Sequence, residues 1–124
     1  SFASYYFGDD GVMRTGKQTI YNADLEENQI WYFQTKGSLK GQGYHGERDN
    51  QVYVNGLLKK ADPELRYEPV STGEKRYLVN TSGTIQKATS SSSSASRPEL
   101  GKGFKDIKDS NDTVWTVDTS GIIQ

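Results

Sequence analysis

WYFQTKGSLK, residues Trp31–Lys40, runs from alternating aromatics through a polar turn and a glycine to an aliphatic and a long polar residue. The same order returns in YYFGDDGVMR at Tyr5–Arg14, YLVNTSGTIQ at Tyr77–Gln86 and WTVDTSGIIQ at Trp115–Gln124. A shortened copy, YVNGLLK, occupies Tyr53–Lys59. Self-similarity of this kind marks a chain assembled by stacking small units.

Aligned on their glycines (Gly11, Gly37, Gly56, Gly83 and Gly121), the copies share fixed positions. Tyr5, Trp31, Tyr77 and Trp115 stand six residues before four of these glycines, and Met13, Leu39, Leu58, Ile85 and Ile123 stand two after. Tyr5 and Phe7 alternate with Tyr6, and Trp31 and Phe33 with Tyr32, which is the period of a β-strand. Asp9-Asp10-Gly11 and Thr81-Ser82-Gly83 carry hairpin-turn chemistry, with glycine supplying positive φ at no steric cost. Each copy therefore predicts a β-hairpin with a short second strand: Val12–Thr15, Ser38–Lys40, Leu57–Lys60, Thr84–Lys87 and Ile122–Gln124. A lone hairpin is marginal in water, so the units are expected to stack and bury the leading aromatic and the trailing aliphatic. The fold class is all-β, a β-hairpin repeat solenoid of about five units.

Composition agrees with that reading. Only 32% of the 124 residues are hydrophobic, and the apolar mass is aromatic, with 8 Tyr, 4 Phe and 2 Trp. Such a chain has little aliphatic surface from which to build one large core. Its 13 glycines imply many tight turns. A net charge of −1, with both signs interspersed, argues against nucleic acid, which requires a basic face. The absence of cysteine excludes disulfides and thiolate metal sites. No apolar run approaches the length of a membrane-spanning helix, so no membrane insertion is expected.

Between the repeats, Ala23–Asn28 reads as an acidic turn and Ala61–Leu65 as one helical turn, with Asp62 capping and Pro63 in the first position. Thr89–Ser96 is almost entirely serine and reads as a flexible linker. The expected organisation is thus residues 1–88 as hairpin repeats, 89–96 as linker and 97–124 as a terminal repeat or cap. In that last unit Phe104 and Ile107 are expected to open a strand pairing with Val114–Val117, and the hairpin to dock onto the preceding block. The sequence opens almost inside its first repeat, as a piece of a longer polypeptide would.

At YYFGDDGVMRTGKQTI, Tyr5–Ile20, the chain resembles the cell-wall-binding repeats, also called choline-binding or glucan-binding repeats, of Gram-positive surface proteins. Tyr5-Tyr6-Phe7, Gly11, Met13 and Thr15-Gly16 match the family pattern, and Trp31-Tyr32-Phe33 with Gly37 and Leu39 opens the next copy. The likeness is specific over the first forty residues and weaker beyond. It implies a hairpin solenoid, secreted or cell-surface and associated with the cell wall, binding a wall polysaccharide or teichoic-acid-like polymer in grooves between hairpins. In choline-binding members an aromatic cage holds the quaternary ammonium by cation–π attraction. Here Lys17 stands where one cage tryptophan belongs, and Ser4, Ile30, Arg76 and Val114 stand where the other does. A cage carrying a lysine repels choline, so the sequence argues against that ligand.

Most of the leading aromatics are accounted for by packing between hairpins. Flat Tyr and Trp faces also make platforms for sugar rings. The expected ligand site is Trp31 with Tyr32 and Tyr6, flanked by Met13 and Gln18. A second set, Tyr21, Tyr44 and Tyr67, is evenly spaced and suggests a stripe along one face. His45 lies among glycines as a turn residue would, and Asp9-Asp10 is explained by the turn it opens. Neither Asp62 with Glu64 nor Asp106 with Asp109 has the spacing of a calcium loop. No serine sits in a nucleophile elbow. The expectation is a non-catalytic module without metal or cofactor, tethering a partner domain; a structural stalk or protein-interaction array is the rival reading.

Overall fold

The computed structural model describes residues 5–124; Ser4, one of the positions where a cage tryptophan is replaced, lies outside them. The described residues contain nine strands: β1 (Gly16–Asn22), β2 (Glu27–Phe33), β3 (Gly46–Arg48), β4 (Gln51–Val54), β5 (Leu57–Leu58), β6 (Tyr67–Ser71), β7 (Arg76–Asn80), β8 (Lys105–Lys108) and β9 (Val114–Val117). One short 3₁₀ turn, Pro98–Leu100, is the only helical element among them. The protein is all-β, made of small antiparallel sheets: β1-β2-β5-β4-β3, β6-β7 and β8-β9. It divides into two compact units, the first running through Asp49 with Tyr53–Leu58, the second comprising Asn50–Val52 with Lys59–Gln124.

In the first unit the β1–β2 hairpin runs in register from Gly16 opposite Phe33 to Asn22 opposite Glu27. Along β1, burial alternates strictly, with Gln18, Ile20 and Asn22 half-buried and Lys17, Thr19 and Tyr21 exposed. Trp31 and Phe33 therefore point to one side of β2 and Tyr32 to the other. Ahead of this hairpin, YYFGDDGVMR forms the small hairpin its turn chemistry predicts. Phe7 bridges Met13, Arg14 N–H donates to the Tyr6 carbonyl (2.8 Å), and Asp10 Oδ1 accepts from Val12 N–H (3.0 Å).

The Asn55-Gly56 turn joins β4 to β5 with positive φ at both residues (49° and 98°), the requirement of a type I′ hairpin. WYFQTKGSLK departs from expectation. Its return to β2 is an isolated bridge from Phe33 to Gly43, beyond the expected Ser38–Lys40, with Gln34 N–H donating to the Gln42 carbonyl (2.9 Å). Lys40 N–H closes on the Gly37 carbonyl and Gln42 N–H on that of Leu39, so the predicted strand is consumed by consecutive turns.

The second unit repeats one motif. β6 pairs with β7 and β8 with β9, and each second strand turns back through a glycine into a short third segment that is held by an isolated bridge. Val79 bridges Ile85, and Val117 bridges Ile123. Asn80 and Asp118 fix the two turns identically. Asn80 Oδ1 accepts from Ser82 and Thr84 N–H (both 2.9 Å), and Asp118 Oδ1 from Ser120 (2.9 Å) and Ile122 (3.0 Å). Such side-chain acceptors replace the ladder bonds that a tight turn forfeits. The expected pairing of the last hairpin with its predecessor is present: Tyr77 bridges Ile122, and Ile123 N–H donates to the Arg76 carbonyl (2.9 Å). Leu78, Ile107 and Val117 form the core, with Tyr67, Trp115 and Ile123 packed on it.

Thr89–Ser96 is not the structureless linker its composition suggests. Ser94 is buried, Ser93 bridges Lys102, and Asp106 draws the serines together. The Asp106 carboxylate accepts from the Ser94 hydroxyl, from Ser96 N–H and Oγ (both 3.0 Å) and from Thr116 Oγ1 (2.9 Å). Burial raises its pKa, but the hydrogen bonds from Ser94, Ser96 and Thr116 outweigh that and bring it down to about 2. At Asp62 the structure has the expected single turn, with Arg66 N–H on the Asp62 carbonyl (3.0 Å) and Glu64 N–H on Asp62 Oδ1 (2.8 Å).

Candidate functional site

Because β2 alternates, its aromatics divide into two clusters on opposite sides of the strand. On one side the rings of Trp31 and Phe33 are parallel (3°, centroids 6.0 Å apart), and Tyr6 lies nearly parallel to Phe33 (18°, 6.0 Å). Phe33 is buried, and Tyr6 and Trp31 are half-buried. These three rings form the apolar floor of a groove of about 420 Å³. Tyr5 and Tyr21, at least half exposed, stand at its margin. At one end lie Asn22 and Gln29, whose side-chain amides are joined by a 3.3 Å hydrogen bond.

Trp31 supplies an unusual polar group. Its Nε1–H is buried and has no hydrogen-bond partner. The benzo edge of the indole lies against Gly56, where a Cβ would sit 3.1 Å from Cε3, so the pyrrole edge carrying Nε1 is turned the other way. An unmatched buried donor costs about 1–3 kcal/mol. The groove thus combines a flat apolar platform with an amide pair, and one of its rings carries a buried donor that no protein group satisfies.

On the other side of β2, Tyr32, Tyr44 and Tyr53 pack at steep angles with centroids about 6 Å apart. The Arg48 guanidinium lies 4.3 Å from the Tyr32 ring centroid, covering the face a sugar would need. Tyr53 is almost fully buried, and burial raises its pKa, with the charge of Asp49 adding to the effect. In this cluster Tyr32 and Tyr53 serve packing.

Of the residues expected at the site, the structure brings Tyr6, Trp31 and Tyr21 to the groove. Tyr32 and Tyr44 belong to the opposite cluster. Met13 packs over Gly41, so closely that a Cβ there would overlap its sulfur, and Gln18 faces Trp31 across the ladder with its amide donated to the Thr15 carbonyl (2.8 Å). Tyr67 packs on the Leu78 core, so the evenly spaced tyrosines occupy three different environments. Phe33, Asn22 and Gln29 were missed. The strand alternation pointed to Phe33, whereas Asn22 and Gln29 follow only once the hairpin register is known.

Among the described residues no group of three or more His, Asp or Glu side chains is placed to hold a metal ion, and no helix is long and apolar enough to cross a membrane. His45 Nδ1 accepts from Asn55 N–H (3.2 Å), a turn role. No protein-family model, curated protein or solved structure matches the chain.

Proposed function

We propose that this chain is a non-catalytic module that binds an extracellular carbohydrate polymer, and that the Trp31 groove is its binding site. The observation that carries the reading is the buried, unpartnered Trp31 Nε1–H beside a floor of parallel rings. A pyranose offers both complements: an apolar C–H face for the rings, and hydroxyl oxygens that accept from an N–H. Tyr and Trp supply large, rigid contact area with a polar handle. The repeat resemblance supports a wall polysaccharide or teichoic-acid-like polymer as partner, a secreted or surface-attached setting in a Gram-positive cell wall, and a role in tethering a partner domain. Choline is not proposed, because the tyrosine cluster is already filled by Arg48.

The test is retention on purified cell-wall polysaccharide. Trp31→Phe keeps an apolar ring and removes the N–H, and it is expected to lose most retention while its β circular-dichroism spectrum is unchanged. Full retention would overturn the assignment of the site.

A structural array is the second reading, and one recurring contact favours it. The residue after a turn glycine pairs with the middle strand of an earlier repeat in three places: Leu57 with Trp31, Thr84 with Gln51, and Ile122 with Tyr77. In this reading the hairpins stack as a solenoid and the aromatics serve only that stacking. It predicts that Trp31→Phe leaves retention untouched.

A further inference from the structure

We propose a second saccharide site in the first unit, on the side of β2 opposite the Trp31 groove, where side-chain amides hold a hydroxylated ring. The inference rests on the reading of the module as carbohydrate-binding, but on different residues. A concavity of about 550 Å³ is lined by Gln34, Leu39, Gln42, Tyr44, His45 and Asn55.

Its construction follows from the ladder. Gln34 follows Phe33 at the end of β2, and Gln42 and Tyr44 flank the Phe33–Gly43 bridge, facing Gln34 and Tyr32. Gln34 N–H donates to the Gln42 carbonyl (2.9 Å) and Tyr44 N–H to the Tyr32 carbonyl (2.8 Å). Alternation therefore sets Gln34, Gln42 and Tyr44 on the Tyr32 side. Asn55 enters from the type I′ turn, held by its N–H bond to His45 Nδ1 (3.2 Å). The turn and the returning segment approach so closely that a Cβ on Gly43 would stand 2.5 Å from the Asn55 carbonyl oxygen. Tyr44 is fixed by the edges of Tyr32 and Tyr53 and by its hydroxyl, which donates to the Glu47 carbonyl (2.8 Å).

The backbone groups of Gln34, Gln42 and Tyr44 are satisfied, yet the side-chain amides of Gln34, Gln42 and Asn55 make no hydrogen bond among the described residues. Each offers two donors and an acceptor. Neighbouring hydroxyls on a sugar ring both donate and accept, so they match such groups, and Leu39 and Tyr44 provide apolar surface for the ring. The lining carries no Lys, Arg, Asp or Glu, which selects a neutral ligand. With the Trp31 groove on the other side of the strand, one module engages two polymer segments at once. Binding to a polymer then exceeds binding to a single sugar by avidity.

The experiment is an NMR titration of the full chain with glucose and, separately, with N-acetylglucosamine, following the Trp31 indole N–H and the side-chain NH2 groups of Gln34, Gln42 and Asn55. The expected result is saturable shifts at both sets with at least one sugar, the amide shifts persisting in Trp31→Phe. Gln42→Ala, or Asn55→Gly, which keeps the positive-φ turn, is expected to weaken the amide-site response roughly fivefold, the loss of one hydrogen bond. Shifts confined to Trp31 would overturn the second site and leave the groove standing. Shifts confined to the amides would support the second site and remove the groove reading. No shift at either would overturn both.

Discussion

Trp31 and Trp115 hold the same place in their repeats, six residues before Gly37 and Gly121, yet the two units use them differently. Trp115 Nε1–H donates to Asp109 Oδ2 (3.0 Å), while Asp109 Oδ1 receives Asn111 N–H (2.8 Å) and Thr113 N–H (3.0 Å). The Trp115 bond is the largest influence holding the Asp109 carboxyl below its usual pKa. Its ring packs on the Leu78 core, with Arg76 5.9 Å from its centroid. Trp31 has Leu25 at the position corresponding to Asp109, and its N–H has no partner. One repeat spends its indole N–H on folding, and the other leaves it buried without a partner. The same sequence phrase therefore fixes neither the place where the chain returns to the strand nor the role of its leading aromatic.

The comparison breaks most visibly if the second unit is not held together by its aliphatic core. Leu78 is fully buried there, and Leu78→Ala is expected to cost about 2–5 kcal/mol in denaturant unfolding. A cost below about 1 kcal/mol would mean that the Leu78–Ile107–Val117 core is not what holds the unit together.

The turn glycines sharpen the contrast. Gly121 has φ +86° and no room, since a Cβ would meet Ile85 Cγ2 at 2.2 Å and the Gln86 carbonyl oxygen at 2.9 Å. Gly37 has φ +82° and open space around it. Gly37→Ala carries only the left-handed backbone penalty of about 1–2 kcal/mol, whereas Gly121→Ala adds the overlap and is expected to lower Tm further. Equal losses would show that the third segment does not close on the preceding hairpin as described.

Acid gives a smaller effect, largest at Asp106 in the second unit. The folded pKa of Asp106 lies below its unfolded value, so its stabilisation is present above pH 4 and is lost as the pH falls toward 2. With solvent screening this amounts to on the order of 1 kcal/mol. Asp106→Asn is expected to flatten the stability profile over that range. An unchanged slope would separate the serine cluster from stability.

How much of this was legible follows from particular residues. Asn55-Gly56, Asn80 to Gly83 and Asp118 to Gly121 declared their turns because each turn's chemistry is local. β1 and β6 were not read as strands, since they lie outside the repeated phrase and β6 contains Pro69, which is tolerated because β6 pairs with β7 alone. The serine run misled because its partner, Asp106, is distant in sequence, and composition does not show a hydroxyl finding a carboxylate. At the site, alternation along Trp31-Tyr32-Phe33 identified the strand and, taken one step further, already placed Trp31 and Tyr32 on opposite sides. The amides of Gln34, Gln42 and Asn55 had no signal, since their convergence depends on a return displaced beyond the predicted strand.

The smallest expected effect on stability is the most informative about function. Trp115→Phe removes a used hydrogen bond and should lower Tm, while Trp31→Phe removes an unused donor and should leave Tm nearly unchanged or slightly higher. The most direct measurement is the retention of these two variants, side by side, on purified cell-wall polysaccharide. The account predicts that Trp31→Phe is washed through while Trp115→Phe is held like the unaltered protein. Retention of Trp31→Phe at the unaltered level would contradict it.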